Sequence, residues 1–169
     1  MNDVPTASAS VPARPAPGVR RLGPGDATAV HAMLDLFAEA FDDRATYASA
    51  RPDAAYLARL LDDPTVVAMV ALDGGTVIGG LVAYELRKLE QARSELYLYD
   101  LAVAATHRRR GVATALIGAL RAVASERGAW VVFVQADHGD DAAIALYAGL
   151  GAREDVLHFD IAVPPRSGG

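Results

Sequence analysis

The spacing of apolar residues changes along the chain, and each change marks an element. Val30, Met33, Leu34, Phe37 and Phe41 recur at helical steps, and Asp26 stands where an N-cap belongs. A second short helix is expected from about Asp53 to Leu61, with Tyr56, Leu57, Leu60 and Leu61 on one side; DDRATYASARP between the two reads as a loop. The stretch TVVAMVALDGGTVIGGLVAYEL then reads as two strands joined at Asp73-Gly74-Gly75, a strong hairpin signal. After a charged loop, ELYLYDLAV is rich in Tyr, Leu and Val and predicts another strand. Val112, Ala113, Leu116, Leu120 and Val123 predict a helix that follows Gly111 and stops at Gly128. WVVFVQA reads as a buried strand, DDAAIALYAGLGA as a final helix and HFDIAV as a closing strand. With Val19–Leu22 as a short first strand, the order is β, α, α, β, β, β, α, β, α, β. That order predicts an α/β fold with a mixed central sheet and helices on both faces.

The 169 residues fit one domain, expected over residues 19–163, with a Pro/Ala/Ser-rich N-terminal tail (1–18) and a short C-terminal tail (164–169). The tail carries no apolar core of a secretory signal, and no apolar run approaches the roughly 20 residues of a membrane helix. A cytoplasmic location follows as the expectation. The absence of cysteine excludes disulfides, thiolate metal sites and a covalent cysteine intermediate. The four histidines show no ligand-like spacing, so no metal site is expected. A net charge of −5 argues against general nucleic-acid binding and fits a cationic partner better.

Against that negative balance, DLAVAATHRRRGVATALIGAL holds three consecutive arginines, Arg108, Arg109 and Arg110. They lie between a strand and a helix N-terminus, where unpaired N–H groups and the helix dipole attract anions. Gly111 leaves the backbone approachable, and Val112, small Ala113 and Thr114 form the first turn. The stretch is a coherent diphosphate cradle; it also reads as a solvated basic turn. Asp100 interrupts an apolar strand and on simple alternation shares a face with Leu96, Leu98 and Ala102. A carboxylate there needs a partner, either an arginine such as Arg93 or Arg153, or a cationic substrate at an opening in the sheet. Tyr147 shares a helical face with Ile144 and Leu150, which by spacing alone is a core position. Asp137, Asp140 and Asp141 follow the end of a core strand; one of them suffices to cap a helix, and together they also fit a polycation subsite. Glu154 and Asp155, with Asp42 and Asp43, are candidates to extend it.

RRRGVA, Arg108 to Ala113, resembles the (Gln/Arg)-x-x-Gly-x-(Gly/Ala) acetyl-CoA signature of the GNAT N-acetyltransferases. The preceding strand, the following helix and ALYAGLGA fall in that family's order, so the resemblance covers nearly all of residues 19–163. KLEQARSELYLYDLAV, HRRRGVATALI, VQADHGDDAAIALY and LHFDI are similar to the aminoglycoside 3-N-acetyltransferases of this superfamily. The resemblance implies a GNAT fold with two central parallel strands that splay apart. It implies that backbone groups of Leu101, Ala102 and Val103 pair with the pantetheine arm, while Arg108, Arg109, Arg110, Gly111, Val112, Ala113 and Thr114 hold the pyrophosphate. It further implies direct transfer of acetyl from acetyl-CoA to an amine, with Tyr147 protonating the departing thiolate and Asp100 receiving the acceptor ammonium. A gentamicin-like aminoglycoside is then the expected acceptor and antibiotic resistance the consequence. A polyamine or other small amine is the rival substrate, and a non-catalytic acetyl-CoA-binding module the rival class. Family members often pair as homodimers, and the C-terminal strand is the candidate for that contact.

Overall fold

The expected helices all form in the computed structural model, which describes residues 17–164. In chain order the elements are β1 (Gly18–Arg21), α1 (Ala27–Ala40), α2 (Arg44–Ala48), α3 (Ala54–Asp62), β2 (Val66–Asp73), β3 (Thr76–Arg87), β4 (Ser94–Val103), α4 (Val112–Glu126), β5 (Val132–Val134) and α5 (Asp141–Ala148). A single 3₁₀ turn, Ala105–His107, joins β4 to the loop before α4. The expected tails lie almost wholly outside the described residues.

The sheet runs β1-β2-β3-β4-β5, antiparallel except for the parallel pair β4–β5. The hairpin forms where Asp73-Gly74-Gly75 placed it. Asp73 pairs with Thr76, and Gly74 and Gly75 both take positive φ (56° and 86°), the conformation that a tight two-residue hairpin requires. Helices cover both faces, and two adjacent glycines of β3 set how closely they approach. A Cβ on Gly79 would lie 2.9 Å from Val112 Cγ1 of α4; one on Gly80 would lie 2.5 Å from Met33 Cγ of α1. Met33, Phe37, Val67, Val70, Leu81, Leu96, Leu98, Leu116 and Leu120 fill the core on the two sides. α4 ends in a Schellman arrangement: Gly128 is left-handed (φ 68°), and Ala129 N–H bonds back to Ala124 O at 2.9 Å.

The described residues form two compact units, 17–135 with the sheet and α1 to α4, and 136–164 with α5.

The structure corrects several expectations. Asp26 occupies the N-cap position of α1, yet its side chain accepts from Gly23 N–H and Arg20 instead of a helical N–H. The loop DDRATYASARP contains α2, started by Asp43, whose carboxylate accepts from Thr46 N–H at 2.9 Å. WVVFVQA yields only the three residues of β5; Trp130 is largely exposed, with the Arg93 guanidinium 3.9 Å from its ring centroid. The last helix stops at Ala148, so Leu150 lies beyond it. HFDIAV is not a strand: Leu157, Phe159, Ile161 and Val163 alternate as a strand would, but are exposed and join no ladder. Alternation describes a side-chain pattern; a strand also needs a neighbour for its backbone groups.

Candidate functional site

Two features of β4 open the sheet at one place. Its parallel pairing with β5 covers Leu96, Leu98 and Tyr97 opposite Val132, Val134 and Phe133, and then stops, while β4 continues to Val103. From Tyr99 onward β4 therefore keeps its ladder to β3 but has no ladder to β5, which ends at Val134. The other feature is a bulge. Ala83 faces Leu98 and Val82 faces Asp100, so Tyr99 is the extra residue.

The bulge overturns the simple alternation at Asp100. Residues paired across a ladder share a face, so Asp100 lies with Val82 and not with Ala83 and Leu98. Its face is the one that α1 covers, together with Ala102, and it is opposite to Leu96 and Leu98. Tyr84 and Tyr97 pair on that same face, and Phe133 pairs with Tyr97. The Tyr97 and Phe133 rings stack 4.8 Å apart; Tyr99 stands edge-on to both Tyr84 and Tyr97. Tyr97 also donates to Gln135 Oε1 at 2.8 Å. Asp100 thus sits beside a row of aromatic rings, some still open to solvent, since Tyr99 is 59% exposed.

The partner of Asp100 is neither of the arginines considered. Arg93 is engaged with Glu90 and Trp130, and Arg153 with Asp155. Instead Tyr47 of α2 donates its phenolic O–H to Asp100 Oδ1 at 2.7 Å. Burial pushes the Asp100 carboxyl above the usual carboxylate range, and the Tyr47 hydrogen bond pulls the other way. Burial and the same bond raise the Tyr47 phenol well above its ordinary value. Neither Tyr47 nor the aromatic row was singled out in the sequence. The available signals were the Asp43-x-x-Thr46 capping pattern and the alternating tyrosines of ELYLYD.

At the far end of β4 the arginine turn leads into the start of α4. Arg108 Nε donates to Val103 O at 3.2 Å, tying the turn to the strand. Arg109 (φ 60°) and Gly111 (φ 76°) both have left-handed backbone, and Gly111 is the N-cap of α4. The first helical bond runs from Ala115 N–H to Gly111 O, so the N–H groups of Val112, Ala113 and Thr114 precede the helical ladder. Arg108, Arg109, Arg110 and Gly111 are exposed, and a Cβ on Gly111 would meet nothing within 4 Å. Leu101, Ala102 and Val103 lie between this turn and Asp100, on the stretch of β4 without a β5 partner.

These features together fit an acyl-CoA: a basic helix start for the pyrophosphate and an open strand edge for the pantetheine amides. A model of the acetyltransferase (GNAT) family matches residues 30–152. The chain belongs to the GNAT acetyltransferase family. Members of this family use acetyl-CoA. An aminoglycoside acetyltransferase from an uncultured soil metagenomic sample is 52% identical, with TM-score 0.85 over 87% of this chain and 98% of that one. A second such enzyme of soil metagenomic origin, solved with sisomicin, is 31% identical, with TM-score 0.80 over 87% of this chain and 96% of its own. N-acetyltransferase family 8 member 2 of Rattus norvegicus is 31% identical over 90 residues, which are 53% of this chain and 40% of that protein.

The remaining expected residues of this GNAT chain lie in the unit 136–164. Asp140 caps α5 by accepting from Ala143 N–H at 3.0 Å, the ordinary structural role weighed for it, and Asp141 stands in the first turn. Asp137 accepts from Asp140 N–H through its backbone carbonyl, and Asp155 is bound by Arg153, while Glu154 is exposed. Tyr147 is half-buried on α5; burial, reinforced by Asp140, raises its phenol above the ordinary value. Among the described residues no group of three or more His, Asp or Glu could hold a metal ion. None of the described helices is long and apolar enough to cross a membrane.

Proposed function

We propose that this acetyltransferase moves the acetyl group of acetyl-CoA onto the 3-amino group of a 2-deoxystreptamine aminoglycoside, in one ternary complex. The observation that carries the reading is Asp100, a half-buried carboxylate in a row of aromatic rings beside the open edge of β4. A carboxylate among rings suits an ammonium, through its charge and through cation–π attraction. The 52% identity to an aminoglycoside acetyltransferase supports the choice of acceptor.

Acetyl-CoA, when bound, supplies an acetyl thioester. The turn Arg108–Thr114 then holds its pyrophosphate by arginine side chains and helix-start N–H groups, and the backbone of Leu101, Ala102 and Val103 aligns the pantetheine arm. Asp100 binds the acceptor ammonium and takes one of its protons, directly or through water. Its raised pKa makes it a better base than an exposed aspartate. The freed nitrogen lone pair forms the N–C bond with the acetyl carbonyl carbon, the C–S bond breaks, and Tyr147 gives its phenolic proton to the departing sulfur. The second proton that the amide nitrogen sheds passes through water to restore the phenol. The raised phenol stays protonated at neutral pH, as that role needs. Asp137, Asp140, Asp141, Glu154 and Asp155 receive the other ammonium groups of the polycation. Acetylation removes one of those charges, from which resistance follows.

The test is thiol release from acetyl-CoA against gentamicin, kanamycin, spermidine and a peptide amine, with the acetylated nitrogen located by NMR. Acetylation of gentamicin at the 3-amino group is expected. Turnover of spermidine without any aminoglycoside would sink the antibiotic reading, and coenzyme A binding without turnover of any amine would favour a non-catalytic module.

A further inference from the structure

Tyr47 stands outside the acetyl-CoA cradle and carries no motif, yet it makes the one side-chain hydrogen bond to Asp100 found among the described residues. We propose that Tyr47 is a positioning residue for the reaction: its hydroxyl, fixed by an aromatic cage, holds Asp100 by Oδ1 as a carboxylate and leaves Oδ2 for the acceptor ammonium. This rests on Asp100 receiving the amine, as argued above.

The geometry has three parts. Tyr47 closes a triangle of rings with Phe37 (centroids 5.7 Å, edge-on) and Phe41 (5.5 Å), themselves 5.5 Å apart, and this packing sets where its hydroxyl points. Phe37 is fully buried in the core of α1, and α2 is fastened at its start by Asp43; the cage is therefore tied to rigid elements. The bulge at Tyr99 turns Asp100 onto the face where Tyr47 waits. Around the pair, the titratable groups are Tyr84 on β3, Tyr97 and Tyr99 on β4, and Asp43 at the start of α2; α1 and its C-cap present the rings of Phe37 and Phe41. Burial raises the phenols of Tyr84 and Tyr97, which keeps them neutral at assay pH, and the causes acting on Asp100 are its burial and the Tyr47 hydrogen bond. Without the Tyr47 hydrogen bond, burial would act unopposed and shift Asp100 further towards the protonated acid, which can neither pair with an ammonium nor take its proton.

The consequence has a sign. Removing the hydroxyl withdraws the bond that favours the charged form, so Asp100 titrates at higher pH, and activity that needs the carboxylate fails earlier on acidification. The test is Tyr47→Phe, which keeps the ring in its cage. The Asp100 carboxyl is followed by carbon-13 NMR, assigned by Asp100→Asn, beside the pH profile of kcat/KM for gentamicin. The Asp100 midpoint is expected to move up and the acid limb of kcat/KM to move with it. The loss should be roughly tenfold below the limb and shrink towards threefold or less on the plateau. An unmoved midpoint overturns the proposal. So does a moved midpoint with an unmoved limb, since Asp100 would then not be the group that activity needs. If the unmodified enzyme turns over no aminoglycoside but acetylates another amine with the same displaced limb, the antibiotic reading falls and the role of Tyr47 stands.

Discussion

Gly111 has two explanations that one pair of substitutions separates. It adopts φ 76°, ψ 6° at the N-cap of α4, backbone that a side chain with Cβ enters at a cost of about 1–2 kcal/mol. It also faces open space, with nothing within 4 Å of a built Cβ, as expected where a phosphate is to lie against the backbone. Gly111→Ala should lose the conformational energy alone, because there is no clash to add, and Tm should fall by about 3–6 °C. Gly111→Asn should recover most of that, since asparagine tolerates left-handed backbone and caps helices well. Acetyl-CoA should respond differently, because both variants place a Cβ where the pyrophosphate approaches. KM for acetyl-CoA should rise about tenfold or more in each, on the order of 1.4 kcal/mol, with KM for the amine little changed. Differential scanning calorimetry and steady-state kinetics read the two effects. If Gly111→Asn restores KM along with Tm, the glycine serves the turn alone and the pyrophosphate does not pack against this backbone.

Tyr147→Phe should lower kcat by about a hundredfold or more in the thiol-release assay while leaving KM for acetyl-CoA near its original value; an unchanged kcat removes the phenol from the reaction. Glu85 is held below the usual carboxylate range by Ser94 and by Arg127, whose guanidinium lies 2.8 Å away, against the opposing push of burial. A depressed carboxyl stabilises the fold above its unfolded-state value near 4.5 and loses that contribution as pH falls through its lower folded-state value. Glu85→Gln should therefore cost about 1–3 kcal/mol in urea unfolding at pH 7 and flatten the acid side of the stability profile below pH 4.5. Phe37→Ala empties a fully buried position and removes one wall of the Tyr47 cage, so it should cost about 3–5 kcal/mol and depress kcat/KM in the surviving folded protein.

The elements legible in the sequence were those whose signal is local. Asp73-Gly74-Gly75 specifies a hairpin because only such residues enter its positive-φ turn readily, and Val112, Leu116 and Leu120 specify a helix by their spacing. Gly111 and the arginines could be singled out as a candidate cradle because a site for one anion can be built from consecutive residues. The acceptor side was less legible because its parts come from α2, β3, β4 and β5, and no window of sequence contains Tyr47 with Asp100. HFDIAV shows the opposite error, a local pattern with no ladder to join.

Asp100 shows most directly why alternation misjudged the site. A strand without a bulge would put Tyr99 opposite Val82 and Asp100 opposite Leu81, with its carboxylate among the apolar side chains that face α4. One extra residue makes Asp100 the partner of Val82 and brings it to the face of Tyr47. The strand's pairing with β5 has already ended there, so its free edge and its polar face become available over the same few residues. A bulge costs ladder hydrogen bonds, and the end of the β5 pairing costs more; both losses to the sheet fall on the stretch of β4 proposed to bind the two substrates. That coincidence, rather than the identity of any one residue, is what would let a single strand offer its edge amides to the pantetheine arm and its side chain to the acceptor amine in the reaction proposed above.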